Sequence, residues 1–341
     1  MRAAVFHEAG RPLAIETVPD PRAAPDQVIV AVAGAGICGS DLHVTQTPGI
    51  APAGLILGHE YAGTIVEVGA EVTGWKAGDR VTALPLFPCR SCEACDAGLP
   101  ALCPGGRFAG TTLEAPGAYA QFVAARGDLL QKVPEGVPFS EAAMIEPLAV
   151  GSHVVSRAGL RPDDAVLVMG GGPIGAVVAL LARHAGVRHV VVSEPFPARR
   201  ELALAAGATA VIDPAAQDVA ATFAGIAGRR PDVVFECVGL PGMLDQAVRL
   251  ANLRGRVVVA GVVFTQDTLP PLEALGKEVT IIYSQAYTEH DFERVITLLA
   301  AREANVTPLH TATIGLAALP ETFEALRKAS PHCKVLIDPT I

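Results

Sequence analysis

Apolar residues are distributed in two ways along this chain. Over residues 1–150 they come in short runs of strand character, at 27–32, 63–68 and 118–124, set among glycines and prolines. Helical spacing is scarce there, which predicts a β-rich domain. After Glu146 the pattern changes. Ala165–Met169 is a continuous apolar run, suited to a strand buried on both faces. A helix over 174–185 is expected next, then a strand at His189–Ser193 and a helix over 198–206. Further strands are expected at Ala210–Ile212, 233–237, 256–260 and 279–283, with a helix over Met243–Leu250. Strands alternating with helices specify a parallel sheet covered on both faces. The tail predicts helices over 288–301 and 320–328 and a closing strand over 334–337.

The length of 341 residues suits two domains. Half the residues are hydrophobic and 18% are charged, the balance of a folded protein with ample core. Asp and Glu outnumber Lys and Arg by 35 to 26, a net charge of −9, which argues against nucleic acid or an anionic membrane as partner. The uncharged run 165–182 is broken by Gly170, Gly171, Gly172, Pro173 and Gly175, so it reads as strand, turn and helix rather than as a membrane span. Residues 1–10 carry Arg2, His7 and Glu8 and no apolar stretch. No secretion signal is expected, and a cytoplasmic location follows.

The turn after Ala165–Met169 contains G-x-G-x-x-G at Gly170, Gly172 and Gly175, with Pro173 and Ile174 inside it. Alone the motif says little in a chain with 34 glycines. Its place between a strand and a helix gives it meaning, as does Glu194 at the end of the next strand. This is the arrangement that cradles a dinucleotide pyrophosphate at a helix N-terminus, with the acidic residue on the adenosine ribose. Glu194 favours NAD over NADP, because a 2′-phosphate would meet a like charge. Arg199 and Arg200 weaken that preference, since either could reach a phosphate; Arg199 could equally bond the ribose.

Four of the seven cysteines, Cys89, Cys92, Cys95 and Cys103, form C-x2-C-x2-C-x7-C on one loop, 88–104. In a reducing compartment such clustering calls for a metal rather than disulfides. Four thiolates match a closed tetrahedral zinc site. An iron–sulfur cluster is the main rival. A nucleic-acid-binding zinc module is less suited, because only Arg90 and Arg107 accompany Glu93 and Asp96.

Three dispersed residues, Cys38, His59 and Glu146, form a second constellation. Cys38 opens Cys38-Gly39-Ser40-Asp41-Leu42-His43; His59 and Glu60 lie in Gly58-His59-Glu60-Tyr61-Ala62-Gly63; Glu146 precedes Pro147. One thiolate, one imidazole and a carboxylate suit a zinc with an open position, able to polarise an alcohol oxygen. Taken singly each has a plainer reading: a small buried thiol, a satisfied histidine, a charge at a helix end.

Together these motifs resemble the zinc-dependent medium-chain dehydrogenase/reductase family of alcohol, sorbitol and butanediol dehydrogenases. The likeness spans nearly the whole chain, including Gly78-Asp79-Arg80-Val81 and residues 257–261. It implies an α/β protein: a GroES-like β-rich catalytic domain at 1–150 and 288–341, and a Rossmann doubly wound domain at 151–287. It implies two zinc ions per subunit, one catalytic and one structural, with NAD as cofactor. Cys38 and His59 would ligate the catalytic zinc, Glu60 would exchange with water as a ligand, and Glu146 would bind directly or through water. Ser40 would take the substrate proton and His43 relay it through the cofactor ribose to solvent. Asp41 would orient His59. The implied reaction moves a hydride from a secondary alcohol, vicinal diol or polyol to NAD, giving a ketone or aldehyde. Threonine-type amino-alcohol oxidation and a zinc-free quinone or enoyl reductase are the alternatives. The edge strand at 278–284 implies a homodimer or homotetramer.

Overall fold

A computed structural model describes residues 1–341 except Phe264 and Ala329. It divides into two compact units: Met1–Glu146 with Thr288–Ala301 and His310–Ile341, and Pro147–Tyr287 with Arg302–Leu309.

The first unit is β-rich. Among the described residues, its main sheet has seven strands, centred on Gln27–Gly36. That strand pairs antiparallel with Glu60–Val68, Phe122–Arg126 and the C-terminal strand Lys334–Asp338. Its alternating apolar residues Val28, Val30 and Val32 are buried, and the core continues through Tyr61, Tyr119 and Phe323. The expected strand at 118–124 is displaced: the strand is Phe122–Arg126, and Ala120 makes only an isolated bridge to Ala3.

The second unit holds six parallel strands in the spatial order Ala210–Ile212, His189–Ser193, Ala165–Met169, Val233–Glu236, Arg256–Val259, Thr280–Tyr283. This is the doubly wound order, in which the sheet reverses direction beside its first strand and leaves a crevice there for a ligand. All five residues of Ala165–Met169 are buried, as an apolar run without alternation requires.

Two boundaries differ from the sequence reading. The break falls after Glu146 rather than at 150, inside a helix, Ile145–Ala158, that periodicity did not announce. Pro147, Gly151 and several β-branched valines lower its intrinsic propensity, but a proline in the first turn costs no hydrogen bond. In the tail, Arg302–Leu309 belongs to the second unit, where Thr307–Leu309 packs on the helices Pro173–His184 and Pro197–Ala205. Among the described residues, no helix is long and apolar enough to cross a membrane.

Candidate active site

Strand register brings the dispersed donors together. Gly36 pairs with Glu60 in the antiparallel ladder, so the chain beyond Gly36 runs alongside the residues before Glu60. That places Cys38 next to His59. Cys38 is extended (φ −97°, ψ 146°) and leads into the short helix Gly39–Val44, which carries Ser40, Asp41 and His43. Gly58 has φ +98°, a left-handed turn that a side chain would oppose, and a Cβ there would lie 2.5 Å from the Tyr119 ring.

One ligand atom each from Cys38, His59 and Glu60 lies within 4.8 Å of the others. The Ser40 hydroxyl donates to the Cys38 sulfur at 3.2 Å. Asp41 is buried, with Oδ1 3.5 Å from His59 Nδ1 and Oδ2 accepting a 2.6 Å bond from the Tyr119 hydroxyl. With Nδ1 turned to Asp41, Nε2 is the nitrogen left for a metal. Burial alone would disfavour an imidazolium here, but the Asp41 and Cys38 charges outweigh it and raise the His59 pKa well above its usual value. Arg327 holds the helix from behind: its guanidinium donates to the Leu42 carbonyl and, at 2.8 Å, to Thr45 Oγ1. His43 is exposed at the far end of the helix.

Glu60 is fully buried and paired with Lys334, whose Nζ is 2.6 and 2.7 Å from its two oxygens and 3.1 Å from the Ile37 carbonyl. Glu146 is expected to bind zinc directly or through water. It is buried in the first turn of Ile145–Ala158 and, among the described residues, stands outside the group of mutually close ligand atoms. Its charge still reaches Lys334.

Cys89, Cys92, Cys95 and Cys103 converge in the same way, with sulfur–sulfur distances of 3.6 Å for Cys92–Cys95 and 3.7 Å for Cys92–Cys103. The Ser91 N–H and hydroxyl draw the Cys89 thiol down to about 6. At Cys92 the Cys95 N–H favours the thiolate, but desolvation and the neighbouring sulfurs override it and push the group up to about 11. Thiols crowded like this cannot all ionise without a cation.

In the second unit, Gly175 is required by close approach: a Cβ there would lie 1.9 Å from the Gly170 oxygen. The helix Pro173–His184 begins at Gly172 with no side-chain cap, so its first N–H groups face outward. Glu194 closes over the turn, accepting from Gly171 N at 2.7 Å and Phe196 N at 2.9 Å. Arg200, weighed above as a phosphate ligand, is taken up by the Glu194 and Pro195 carbonyls (2.8 and 2.7 Å) and by Asp213 at 3.1 Å. Arg199 stacks on Phe196 at 5.4 Å and keeps a buried Nε without a partner.

Comparison with known proteins settles the family. Residues 24–135 match the alcohol dehydrogenase GroES-like domain, and residues 173–301 match the zinc-binding dehydrogenase family. Sorbitol dehydrogenase 1 of Saccharomyces cerevisiae is 36% identical, over 91% of this chain and 89% of the relative. The chain belongs to the zinc-binding dehydrogenases. Two solved structures agree. A protein named as a zinc-binding dehydrogenase from Sinorhizobium meliloti 1021, bound to NADP, superposes with a TM-score of 0.92 at 31% identity, covering 99% of both chains. The 2R,3R-butanediol dehydrogenase of Bacillus subtilis gives a TM-score of 0.90 at 30% identity, again over 99% of both.

A zinc-binding dehydrogenase uses zinc and a nicotinamide cofactor, and the residues fit both. A tetrahedron with Zn–S bonds of about 2.3 Å has edges of about 3.8 Å, matching the 3.6 and 3.7 Å sulfur spacings. A multi-iron cluster would interpose its own atoms and spread the thiolates further. At Cys38, His59 and Glu60 the donors are sulfur, nitrogen and oxygen, one short of a tetrahedron, the composition of a reactive zinc site. The uncapped helix at Gly172 and the orphaned Arg199 Nε supply donors that an anionic dinucleotide satisfies. Lys334, Tyr119 and Arg327 are the parts that motif reading missed. The one trace of them is a lysine opening the apolar run 334–337.

A Cys92→Ser variant tests the four-sulfur loop. It is expected to lose one of the two zinc ions and to make the loop 88–104 labile to protease, since a segment with little apolar content depends on the metal for its order. Metal analysis and limited proteolysis read both effects.

Proposed function

We propose that this enzyme oxidises a secondary alcohol, vicinal diol or polyol with NAD. The convergence of Cys38, His59 and Glu60 beside Ser40 carries the reading. The relatives named for sorbitol and butanediol point to neighbouring hydroxyls in the substrate. Cys38 and His59 hold the catalytic zinc, Glu60 exchanges with water as a ligand, and Glu146 binds directly or through water. Cys89, Cys92, Cys95 and Cys103 hold the structural one. When bound, zinc supplies Lewis acidity and the nicotinamide ring accepts the hydride. Asp41 fixes the His59 ring through Nδ1. Ser40 accepts the hydroxyl proton, and His43, three residues on along the same helix face, passes it towards solvent. The edge strand Thr280–Tyr283, with Tyr283 exposed, supports pairing with a second copy to form a dimer or tetramer, measurable by light scattering.

Gly170, Gly172, Pro173, Ile174 and Gly175 cradle the pyrophosphate, while Glu194 and Arg199 take the ribose. A neighbour bound to NADP keeps that cofactor in the comparison. Glu194→Gln keeps the shape of the side chain and removes the charge that a 2′-phosphate would meet. It is expected to raise the kcat/KM ratio of NADP to NAD by roughly tenfold. The reading as a whole is tested by a panel of alcohols, diols, polyols and 3-hydroxy amino acids with each cofactor. Diols and polyols with NAD are expected to lead. A lead by 3-hydroxy amino acids would transfer the assignment to threonine-type oxidation, and reduction of quinones without zinc would overturn it.

A further inference from the structure

Lys334 occupies an unusual place for a lysine. It is 3% exposed and opens the strand Lys334–Asp338, far in sequence from the residues it meets. Its ammonium has three hydrogens and three acceptors: the two Glu60 oxygens, at 2.6 and 2.7 Å, and the Ile37 carbonyl, at 3.1 Å. Ile37 directly precedes Cys38. One cation thus ties the carboxylate of one proposed ligand to the backbone leading into another. Both Glu60 oxygens are engaged, so the ammonium competes with a metal for the charge of this carboxylate and holds its orientation.

We propose that Lys334 is a positioning residue that restrains Glu60 and so keeps one coordination position at the Cys38–His59 metal open for substrate. The inference rests on the catalytic-zinc reading above. A reactive zinc site needs an open position, whereas a buried carboxylate with no counter-charge takes the nearest cation. Glu60 without Lys334 becomes a full-time ligand. Removing Lys334 therefore strengthens metal binding while weakening catalysis. A merely structural lysine, once removed, would weaken both.

Cobalt(II) added to the metal-free protein reports the site through its visible absorption. The spectrum of Cys38→Ser gives the four-cysteine contribution, which is subtracted. Lys334→Met is expected to hold the remaining cobalt at least tenfold more tightly against a competing chelator. Its spectrum is expected to be shifted from wild type and unresponsive to added diol, with kcat lowered at least tenfold and KM changed less. Adding Glu60→Gln to Lys334→Met is expected to return affinity and diol response towards wild type, and Lys334→Arg to keep both. Should Lys334→Met fail to fold, Lys334→Gln carries the same comparison. The proposal is overturned if Lys334→Met binds cobalt no more tightly than wild type, or if Glu60→Gln does not reverse the change. If instead Cys38→Ser and wild type take up cobalt identically, the catalytic-zinc reading itself falls.

Discussion

Cys38→Ser is expected to abolish turnover and to leave one zinc ion per chain instead of two. The serine is nearly isosteric, so the backbone and the neighbouring Ser40 can stay in place. What changes is the donor. A hydroxyl ionises far less readily than a thiol and is a harder ligand, so the site loses its anionic sulfur and most of its affinity for zinc. The remaining pair, His59 and a Glu60 already engaged by Lys334, is a weak cation site. Without the cation nothing offsets the negative charge that develops on the substrate oxygen, and kcat/KM is expected to fall by more than roughly a thousandfold. Metal analysis and steady-state kinetics on the same preparation check this. Cys92→Ser should lose the other ion, which tells the two sites apart. A Cys38→Ser enzyme with wild-type turnover would falsify the assignment of Cys38, His59 and Glu60 as the reactive centre.

How much of this was legible in the sequence depended on the range of each interaction. The first strands of the second unit were read to the residue, because they leave unbroken apolar runs: Ala165–Met169, His189–Ser193 and Ala210–Ile212 fall where periodicity puts them. The glycine turn was legible for a local reason, since the Cβ at Gly175 has no room. The Cys38 and Gly58–Gly63 runs were legible only through the family resemblance, since spacing alone leaves each residue a plainer reading. Lys334 was not legible. Its partner Glu60 lies 274 residues away, and one lysine at the head of an apolar strand carries no spacing signal. Tyr119 and Arg327 escaped for the same reason. The helix Ile145–Ala158 was hidden by its own composition.

Gly58→Ala is expected to damage both stability and catalysis through one added methyl group. Gly58 has φ +98°, which costs an alanine about 1–2 kcal/mol. The new Cβ would lie 2.5 Å from the Tyr119 ring, so the ring or the turn must move. Tyr119 cannot yield cheaply: it is fully buried, its N–H donates to the Leu57 carbonyl at 2.9 Å, and its hydroxyl donates to Asp41. Overpacking of this kind adds about 1–3 kcal/mol. Together these predict a loss of about 2–5 kcal/mol, seen as a fall of roughly 5–15 °C in the unfolding midpoint of the first unit. Catalysis suffers by a separate route. A displaced Tyr119 releases Asp41, and Asp41 sets the His59 ring that presents Nε2. Loss of such an orienting partner lowers metal affinity or activity by about 10–100-fold. Tyr119→Phe separates the two routes, because it removes the hydroxyl and leaves the ring: activity is expected to fall with little change in the midpoint. If Gly58→Ala kept both wild-type activity and the wild-type midpoint, neither the left-handed turn nor the Tyr119–Asp41–His59 chain would explain why a glycine precedes the histidine.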